Sequence, residues 1–106
     1  MNVKVINMIN FALKARKYTI GENVLTSSKK NKVKLAIIAT DASSASKKKY
    51  SDKLNYYRVR FIEYGTKSEL GNLLNKNEIS IIAILDINIA KQIIKLIKED
   101  ETNGLQ

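Results

Sequence analysis

The stretch of this sequence best suited to chemistry lies between Lys14 and Lys34, where the turn Gly21-Glu22-Asn23 stands among basic residues. A glycine lets the backbone approach a partner closely, and an asparagine amide both donates and accepts hydrogen bonds. Lysines on either side of such a turn are suited to contacts with phosphates. The same residues would also make an ordinary tight turn between a strand and a helix.

Two carboxylates, Asp41 and Asp86, form the second chemical candidate. Each follows an apolar run that is typical of a buried strand. If those strands ran parallel, both carboxylates would lie at the same end of the sheet. There they could hold a hydrated magnesium ion, as in a small phosphoryl-transfer enzyme. Each also directly precedes an expected helix, which favours the competing interpretation that both are helix caps.

The sequence contains neither histidine nor cysteine. Histidine is the commonest general base and a frequent metal ligand, and cysteine supplies nucleophiles, zinc ligands and disulfides. Their absence excludes zinc fingers, Ser-His-Asp triads and Cys-His pairs. Much hydrolytic chemistry is excluded with them, and no cofactor is predicted.

The net charge of +9 is unevenly placed along the 106 residues. Residues 1–60 hold 14 Lys and Arg against 3 Asp and Glu, whereas residues 61–106 hold 5 against 7. A positive field of this kind attracts polyanions and speeds their encounter. Nucleic acid is the favoured partner, and the alternatives are a basic surface that serves solubility and an anionic membrane.

No stretch of the sequence is expected to cross a membrane. The longest apolar runs are about six residues, whereas a spanning helix needs about 20. Residues 1–10 are amphipathic and lack the continuous apolar region of a signal peptide. We therefore expect a cytoplasmic protein.

A short extended piece is expected at residues 18–20, and strands are expected at residues 33–40, 59–62 and 79–85. Branched apolar residues indicate that the strands at 33–40 and 79–85 are fully buried. The strands at 33–40 and 59–62 are separated by enough chain for a right-handed crossover through a helix.

Five helices are predicted between and around these strands. The first is expected to begin at Asn2 and to be closed by Lys14, Arg16 and Lys17. The others are expected over residues 22–30, from a loop at 41–44 to about 57, from 66 onward, and from Asp86 or Asn88 to 99. Two pairs have the spacing of a capping box, Thr19 with Glu22 and Thr66 with Glu69.

The alternation of elements predicts one α/β domain over residues 1–99, a three-layer α/β/α sandwich with about five helices around a small mixed sheet. Residues 100–106 are expected to form a polar tail. Residues 47–49, together with Lys53, favour a solvated basic helix face over contacts with a nucleic-acid backbone. The helical spacing of Tyr50, Tyr56 and Tyr57 favours core and edge packing over a platform for stacking bases.

Five segments of the chain carry a resemblance that covers nearly its whole length. In their order and spacing they resemble the kink-turn RNA-binding ribosomal protein family, that of the archaeal large-subunit protein L7Ae, and especially its short bacterial members of the YlxQ type. The segments are residues 12–17 (ALKARK), 21–23 (GEN), 39–49 (ATDASSASKKK), 52–57 (DKLNYY) and 68–71 (SELG).

The resemblance implies a mixed four-stranded sheet and a monomeric, non-enzymatic protein that recognises a kink-turn or similar bent RNA motif, with the ribosome as a further partner. An ordinary RNA major groove is too narrow to read, and a kink opens it. Residues 21–27 would enter that groove, where Asn23 would read a base edge. The loop at 75–80 would close over an extruded nucleotide, with Ile79 against it. The implied RNA-binding residues are Lys14, Lys17, Gly21, Glu22, Asn23, Val24, Ser27, Lys29, Lys76, Asn77 and Ile79.

The chain also differs from the family pattern. Val24 stands where the well-studied members have Glu, and Ser27 stands where they have Lys. Arg16 replaces a Gly that is common in bacterial members, and Asn77 and Glu78 replace a Pro and an Arg of the second loop. Val24 and Ser27 favour an alternative function, that of a ribosome-associated assembly or protein-interaction factor with only non-specific RNA affinity.

Overall fold

The computed structural model of the protein describes residues 1–104, with side chains described as far as Glu101. Helices and strands alternate along the chain. In order they are α1 (Val3–Lys14), β1 (Tyr18–Ile20), α2 (Asn23–Lys29), β2 (Leu35–Ile38), α3 (Ser44–Tyr56), β3 (Phe61–Glu63), α4 (Lys67–Leu73), β4 (Ile81–Ile84) and α5 (Ile87–Gly104).

The four strands form one mixed sheet in the order β1-β4-β2-β3. Strand β4 is antiparallel to both of its neighbours, β1 and β2, whereas β2 and β3 are parallel. Strands β1, β2 and β3 therefore run in one direction and β4 in the other. We call the end of the sheet where β1, β2 and β3 finish and β4 starts the turn end.

Helices cover both faces of this sheet. Strands β2 and β4 are buried at every position, and successive side chains of a strand point to opposite faces, so both faces must be covered. Helix α1 packs against α5, and α2 packs against α3 and β1. The core is built mainly from branched aliphatic residues of the two central strands and of α1 and α5. The predicted α/β fold, with five helices and a mixed four-stranded sheet, is confirmed.

Side chains cap most of the helices at their N-termini. The Asn2 side chain accepts a hydrogen bond from the Lys4 amide, as expected for the start of α1. Thr66 and Glu69 form the predicted capping box of α4. The capping box predicted for Thr19 and Glu22 is wrong. Thr19 lies in β1, where it pairs with Ala83 of β4, and α2 has no side-chain cap.

Four helices end in the same way, with a residue other than glycine in the left-handed region. These residues are Arg16 (φ 57°), Asn31 (φ 59°), Arg58 (φ 58°) and Asn75 (φ 55°). At the end of α1, the Arg16 amide donates to the Leu13 carbonyl at 3.2 Å and the Lys17 amide donates to the Ala12 carbonyl at 2.9 Å. This is the bonding of a Schellman motif. Helix α1 thus ends at Lys14, and the expectation that Arg16 and Lys17 close its last turn is wrong.

The remaining boundaries differ from expectation by a few residues. The two central strands are shorter than the apolar runs that predict them, because the flanking residues continue into loops. Helix α5 continues to Gly104, through the start of the stretch expected as a tail. Residues 105 and 106 of that expected tail lie outside the described residues.

Candidate nucleic-acid interface

The turn between β1 and α2 depends on the backbone conformation of Gly21. Its φ is +61°, and the Gly21 amide donates to the Ile81 carbonyl at 3.3 Å, which ties the turn to the start of β4. A Cβ at this position would meet nothing within 4 Å. The left-handed φ therefore favours glycine at this position, and the space in front of it is open to a partner.

Asn23 is the first residue of α2 and is exposed. Its side-chain amide makes no hydrogen bond to any of the residues that the structure describes. Such an amide retains its two N–H donors and its carbonyl acceptor for a partner. That combination can recognise the edge of a purine base.

Glu22 is held by a lysine of the neighbouring helix α3. The Lys49 ammonium donates to the Glu22 carboxylate, and this hydrogen bond raises the pKa of Lys49 above its usual value. The same ammonium lies 5.6 Å from the centre of the Tyr50 ring. Burial, with Glu22 adding to it, raises the pKa of Tyr50. The negative charge of the turn is thus compensated within the protein.

The loop between α4 and β4 passes very close to Gly71. The Lys76 amide donates to the Gly71 carbonyl at 2.9 Å, and a Cβ at Gly71 would lie 2.7 Å from the carbonyl oxygens of both Lys76 and Asn77. Further along, the Ile79 amide donates to the Lys67 carbonyl at 3.0 Å. The glycine thus allows this second loop to lie directly on α4.

The turn and the second loop form one pocket, with a cavity of about 230 Å³. Ligand pockets of proteins commonly enclose about 300–1,000 Å³, so this one suits a small, base-sized group. The lining includes Ile20 and Gly21 of the turn, Tyr50 of α3, and Lys76 and Glu78 of the second loop. The structure therefore brings together the two elements that the sequence analysis proposed as one site.

Other residues predicted for the site lie beneath its surface. Val24 is 0% exposed and Ile79 is 6% exposed, so both side chains pack in the core. Ser27 is half-buried, and its carbonyl accepts hydrogen bonds from the amides of Lys30 and Lys32. Lys76 and Asn77 are exposed on the second loop.

Three lysines that the family resemblance implies for RNA binding lie at the opposite end of the sheet from the turn. They are Lys14, Lys17 and Lys29. The Leu85 amide, just after β4, donates to the Lys17 carbonyl at 2.8 Å, whereas Gly21 pairs with the start of β4. Lys14 closes α1 and Lys29 closes α2, both at the same end as Lys17. Strand β1 and helix α2 thus carry these lysines away from the turn, although they are its neighbours in sequence.

The lysines at 47–49 and the three tyrosines of α3 and its end lie in different environments. Lys47 pairs with Glu63 at 3.0 Å and Lys48 pairs with Asp52 at 2.9 Å. Tyr50 is buried, whereas Tyr56 is 78% exposed and makes an edge-on contact with the Tyr57 ring, 5.1 Å between centroids. The three tyrosines therefore do not form a common platform.

The carboxylates of Asp41 and Asp86 lie at opposite ends of the sheet, because β2 and β4 are antiparallel. Asp41 accepts a hydrogen bond from the Lys67 amide at 2.7 Å, at the start of α4. Asp86 accepts from the amides of Asn88 and Ile89, at the start of α5. Asp86 therefore caps the helix that follows it. The expectation that Asp41 does the same is wrong, because Ser43 caps α3 and Asp41 instead bonds the first amide of α4. The two carboxylates cannot share an ion, so the magnesium hypothesis is wrong. Within residues 1–104, no group of metal-binding side chains is found.

Two features of the site were missed in the sequence. The Glu22–Lys49 pair joins residues 27 positions apart, and nothing in the sequence signals it. Gly71 interrupts a helical pattern, and an isolated glycine of that kind often marks a close backbone approach.

In the described part of the chain, no helix is both long enough and apolar enough to cross a bilayer.

Comparisons with known proteins converge on one family. Residues 4–95 match the model of the ribosomal protein L7Ae/L30e/S12e/Gadd45 family. The chain is 32% identical over 91 residues to the RNA-binding protein YlxQ of Bacillus subtilis (strain 168), covering 85% of this chain and 91% of that protein. It is 33% identical over 96 residues to the RNA-binding protein YlxQ of Enterococcus faecium, covering 90% and 92%. A solved structure of a protein of unknown function from Bacillus halodurans C superposes with a TM-score of 0.84 at 28% identity, covering 92% of this chain and 99% of the other.

Proposed function

Because the chain belongs to the ribosomal protein L7Ae/L30e/S12e/Gadd45 family, we propose that it is a non-enzymatic RNA-binding protein that recognises a kink-turn or similar bent RNA motif. The two YlxQ relatives reported above are named RNA-binding proteins, and the match covers most of the length of each. We expect the protein to act as a cytoplasmic monomer on ribosomal or structured regulatory RNA.

The observation that carries this proposal is the exposed Asn23 amide beside an open glycine turn. No described residue occupies its donors or its acceptor. RNA recognition by base edges requires a distorted duplex, since the regular major groove is too deep and narrow for side chains. A kinked duplex would present a purine edge to Asn23, and Gly21 would let the RNA approach the backbone.

The pocket between the turn and the second loop would receive a nucleotide that the kink extrudes. Lys76 would contact its phosphate, with the exposed Asn77 beside it. Ile79 is nearly buried and would offer only its exposed margin to the base. Val24 is buried and would contribute to RNA binding only through its backbone and by holding α2 on the core. Ser27 is half-buried and would lie at the margin of the contact with RNA.

The Glu22–Lys49 pair makes this site compatible with a polyanion. An unpaired carboxylate next to Asn23 would repel phosphates. Lys49 compensates that charge and fixes the direction of the Glu22 side chain. The acid is then available to accept a hydrogen bond from a base without a net repulsive charge at the turn.

The test is a titration of the protein with a kink-turn RNA and with a variant RNA whose G·A pairs are replaced by Watson–Crick pairs, each at two salt concentrations. The Asn23→Ala variant should lose about 10- to 100-fold in affinity for the kinked RNA, in line with the cost of one lost two-point base contact. The matched control is Asn7→Ala, which removes an exposed amide from the middle of α1. Unchanged affinity of Asn23→Ala would refute the assigned role.

The second candidate function is a ribosome-associated assembly or protein-interaction factor with non-specific RNA affinity. The buried Val24 favours it, because no acidic side chain follows Asn23 to read a second base. This function predicts equal affinity for the two RNAs and a steep loss of both with salt.

A further inference from the structure

We propose that the protein has a second RNA-binding surface, at the opposite end of the sheet from the turn, which holds the phosphate backbone of an RNA segment outside the kinked motif. We call this surface the basic end, and it consists of residues 14–17, 29–34 and 57–60. The choice of RNA as its partner rests on the proposed function. The surface itself rests on observations of its own.

The topology of the sheet places these three segments at one end, with the end of β4 between the first segment and the second. They directly precede β1, β2 and β3, which all start at the same end of the sheet. Backbone hydrogen bonds fix them there, from Leu85 to the Lys17 carbonyl at 2.8 Å, from Lys34 to the Ile84 carbonyl at 2.8 Å, and from Ala36 to the Arg60 carbonyl at 3.0 Å. With neighbouring strands about 4.8 Å apart, the three segments span about 15 Å.

The basic end carries positive charge without compensation. Its three segments contain nine Lys and Arg and no Asp or Glu, and all nine are exposed. None of the five ion pairs found among the described residues involves any of them. The nine are Lys14, Arg16, Lys17, Lys29, Lys30, Lys32, Lys34, Arg58 and Arg60. Of the acids near this end, Asp86 is engaged in capping α5, and Glu101 lines a surface pocket with Arg60.

The turn end is different, because several of its cations are paired, with Lys76 as an exception. Lys47, Lys49 and Lys67 each contact a carboxylate there. The protein is therefore not evenly basic, and the nine charges of the basic end equal its whole net charge of +9. This concentration of unpaired positive charge favours a binding site for a polyanion at the basic end.

Helix dipoles account for only part of this charge. Helices α1, α2 and α3 end at the basic end, and a cation in the last turn of each interacts favourably with its dipole. Lys14, Lys29 and Lys53 already fill that role. Seven of the nine cations lie beyond the helices, where the dipole gives no reason for them.

An exposed aromatic ring at the edge of these charges favours RNA over a membrane surface. Tyr56 is the last residue of α3, directly before residues 57–60, and 78% of it is exposed. Its position on Tyr57 holds the ring outward, where it can stack on a base next to bound phosphates. Membrane-surface binding would instead call for an amphipathic helix lying flat, and this surface is made of loops and helix ends.

The test uses the left-handed positions Arg16 and Arg58, where glycine is the residue that the backbone favours. The Arg16→Gly/Arg58→Gly variant removes two charges from the basic end and keeps the fold. The control variant Lys4→Gln/Lys95→Gln removes two exposed charges from α1 and α5. Both are titrated with a short Watson–Crick RNA duplex over a range of salt concentrations.

We expect the glycine variant to bind the duplex about tenfold more weakly, with a salt slope lower by about 2, because each lost phosphate contact lowers the slope by about 1. The control should change by less than about twofold. Equal losses in both variants, or no loss in either, would overturn the proposal. So would vesicles of phosphatidylcholine and phosphatidylserine that displace the duplex from the protein, since they would identify a membrane surface.

Failure of the proposed function would be seen separately. If the unmodified protein binds the kinked RNA and its Watson–Crick variant equally, kink recognition fails. The comparison between the glycine variant and its control does not use a kinked RNA, so its result for the basic end stands either way.

Discussion

Replacing Gly71 by alanine should displace the second loop and destabilise the protein. The added Cβ would lie 2.7 Å from the carbonyl oxygens of Lys76 and Asn77 and 2.9 Å from the Asn77 carbonyl carbon. All three are backbone atoms, so no side-chain rotation can relieve the contact. The loop must move away from α4, and the wall of the pocket that it forms must move with it.

The size of the effect follows from three contributions. Overpacking of a tight site costs about 1–3 kcal/mol. The hydrogen bond from the Lys76 amide to the Gly71 carbonyl, 2.9 Å long, is weakened, at a cost of about 1 kcal/mol. Alanine in a helix recovers about 1 kcal/mol relative to glycine. The net loss is about 1–3 kcal/mol, which lowers the Tm of a domain of this size by about 5–20 °C.

Thermal unfolding followed by circular dichroism measures this loss. The matched control is Asn72→Ala, which adds an alanine at the next, exposed position of α4 and should hold or slightly raise the Tm. A Gly71→Ala variant as stable as the control would mean that the loop does not lie on α4 as described. The variant should also lose affinity for the kinked RNA, because Lys76 moves.

Three further outcomes are expected. Arg58→Gly should raise the free energy of unfolding by about 0.5–1 kcal/mol in urea titrations, since it relieves a left-handed residue, and an Arg58→Ala variant should show no such gain. Lys49→Gln should weaken binding to the kinked RNA several-fold in fluorescence titrations, because Glu22 becomes an unpaired charge, and Glu22→Gln in the same chain should restore it. The N-terminal ammonium, which donates to Glu69 at 2.9 Å, lowers the pKa of that carboxyl below 4.5. The ion pair therefore contributes to the free energy of unfolding above pH 4.5, and this contribution is lost as pH falls through the lowered pKa. Glu69→Gln should flatten the acid side of a plot of stability against pH.

Local signals in the sequence predicted most of the fold. The apolar runs identified β2 and β4, and the spacing of Thr66 and Glu69 identified the start of α4. These predictions succeed because they depend on periodicity and on bonds within one turn of a helix. Strand direction has no such signal. It is decided by pairing between distant segments, and this is why Asp41 and Asp86 were considered as neighbours.

The candidate site shows the same limit. The Gly21 turn and the second loop were predicted as one site from a family resemblance, and the structure places them around one pocket. Lys17 and Lys29, close to that turn in sequence, lie at the other end of the sheet. A strand rises about 3.3 Å per residue and a helix about 1.5 Å, so a few residues of either carry a side chain across a small domain. Proximity in sequence is therefore a poor guide to which cations share a surface.

The separation of charge between the two ends of the sheet also affects the rate at which RNA associates with the protein. With its net charge concentrated at the basic end, the molecule carries a permanent electric moment, so an approaching polyanion would orient it before contact. Association with RNA should then be fast and should slow steeply as salt rises, whereas the lifetime of a specific complex should depend on the uncharged contacts of Asn23 and change little. One end of the protein would set how often RNA arrives, and the other would set how long it stays.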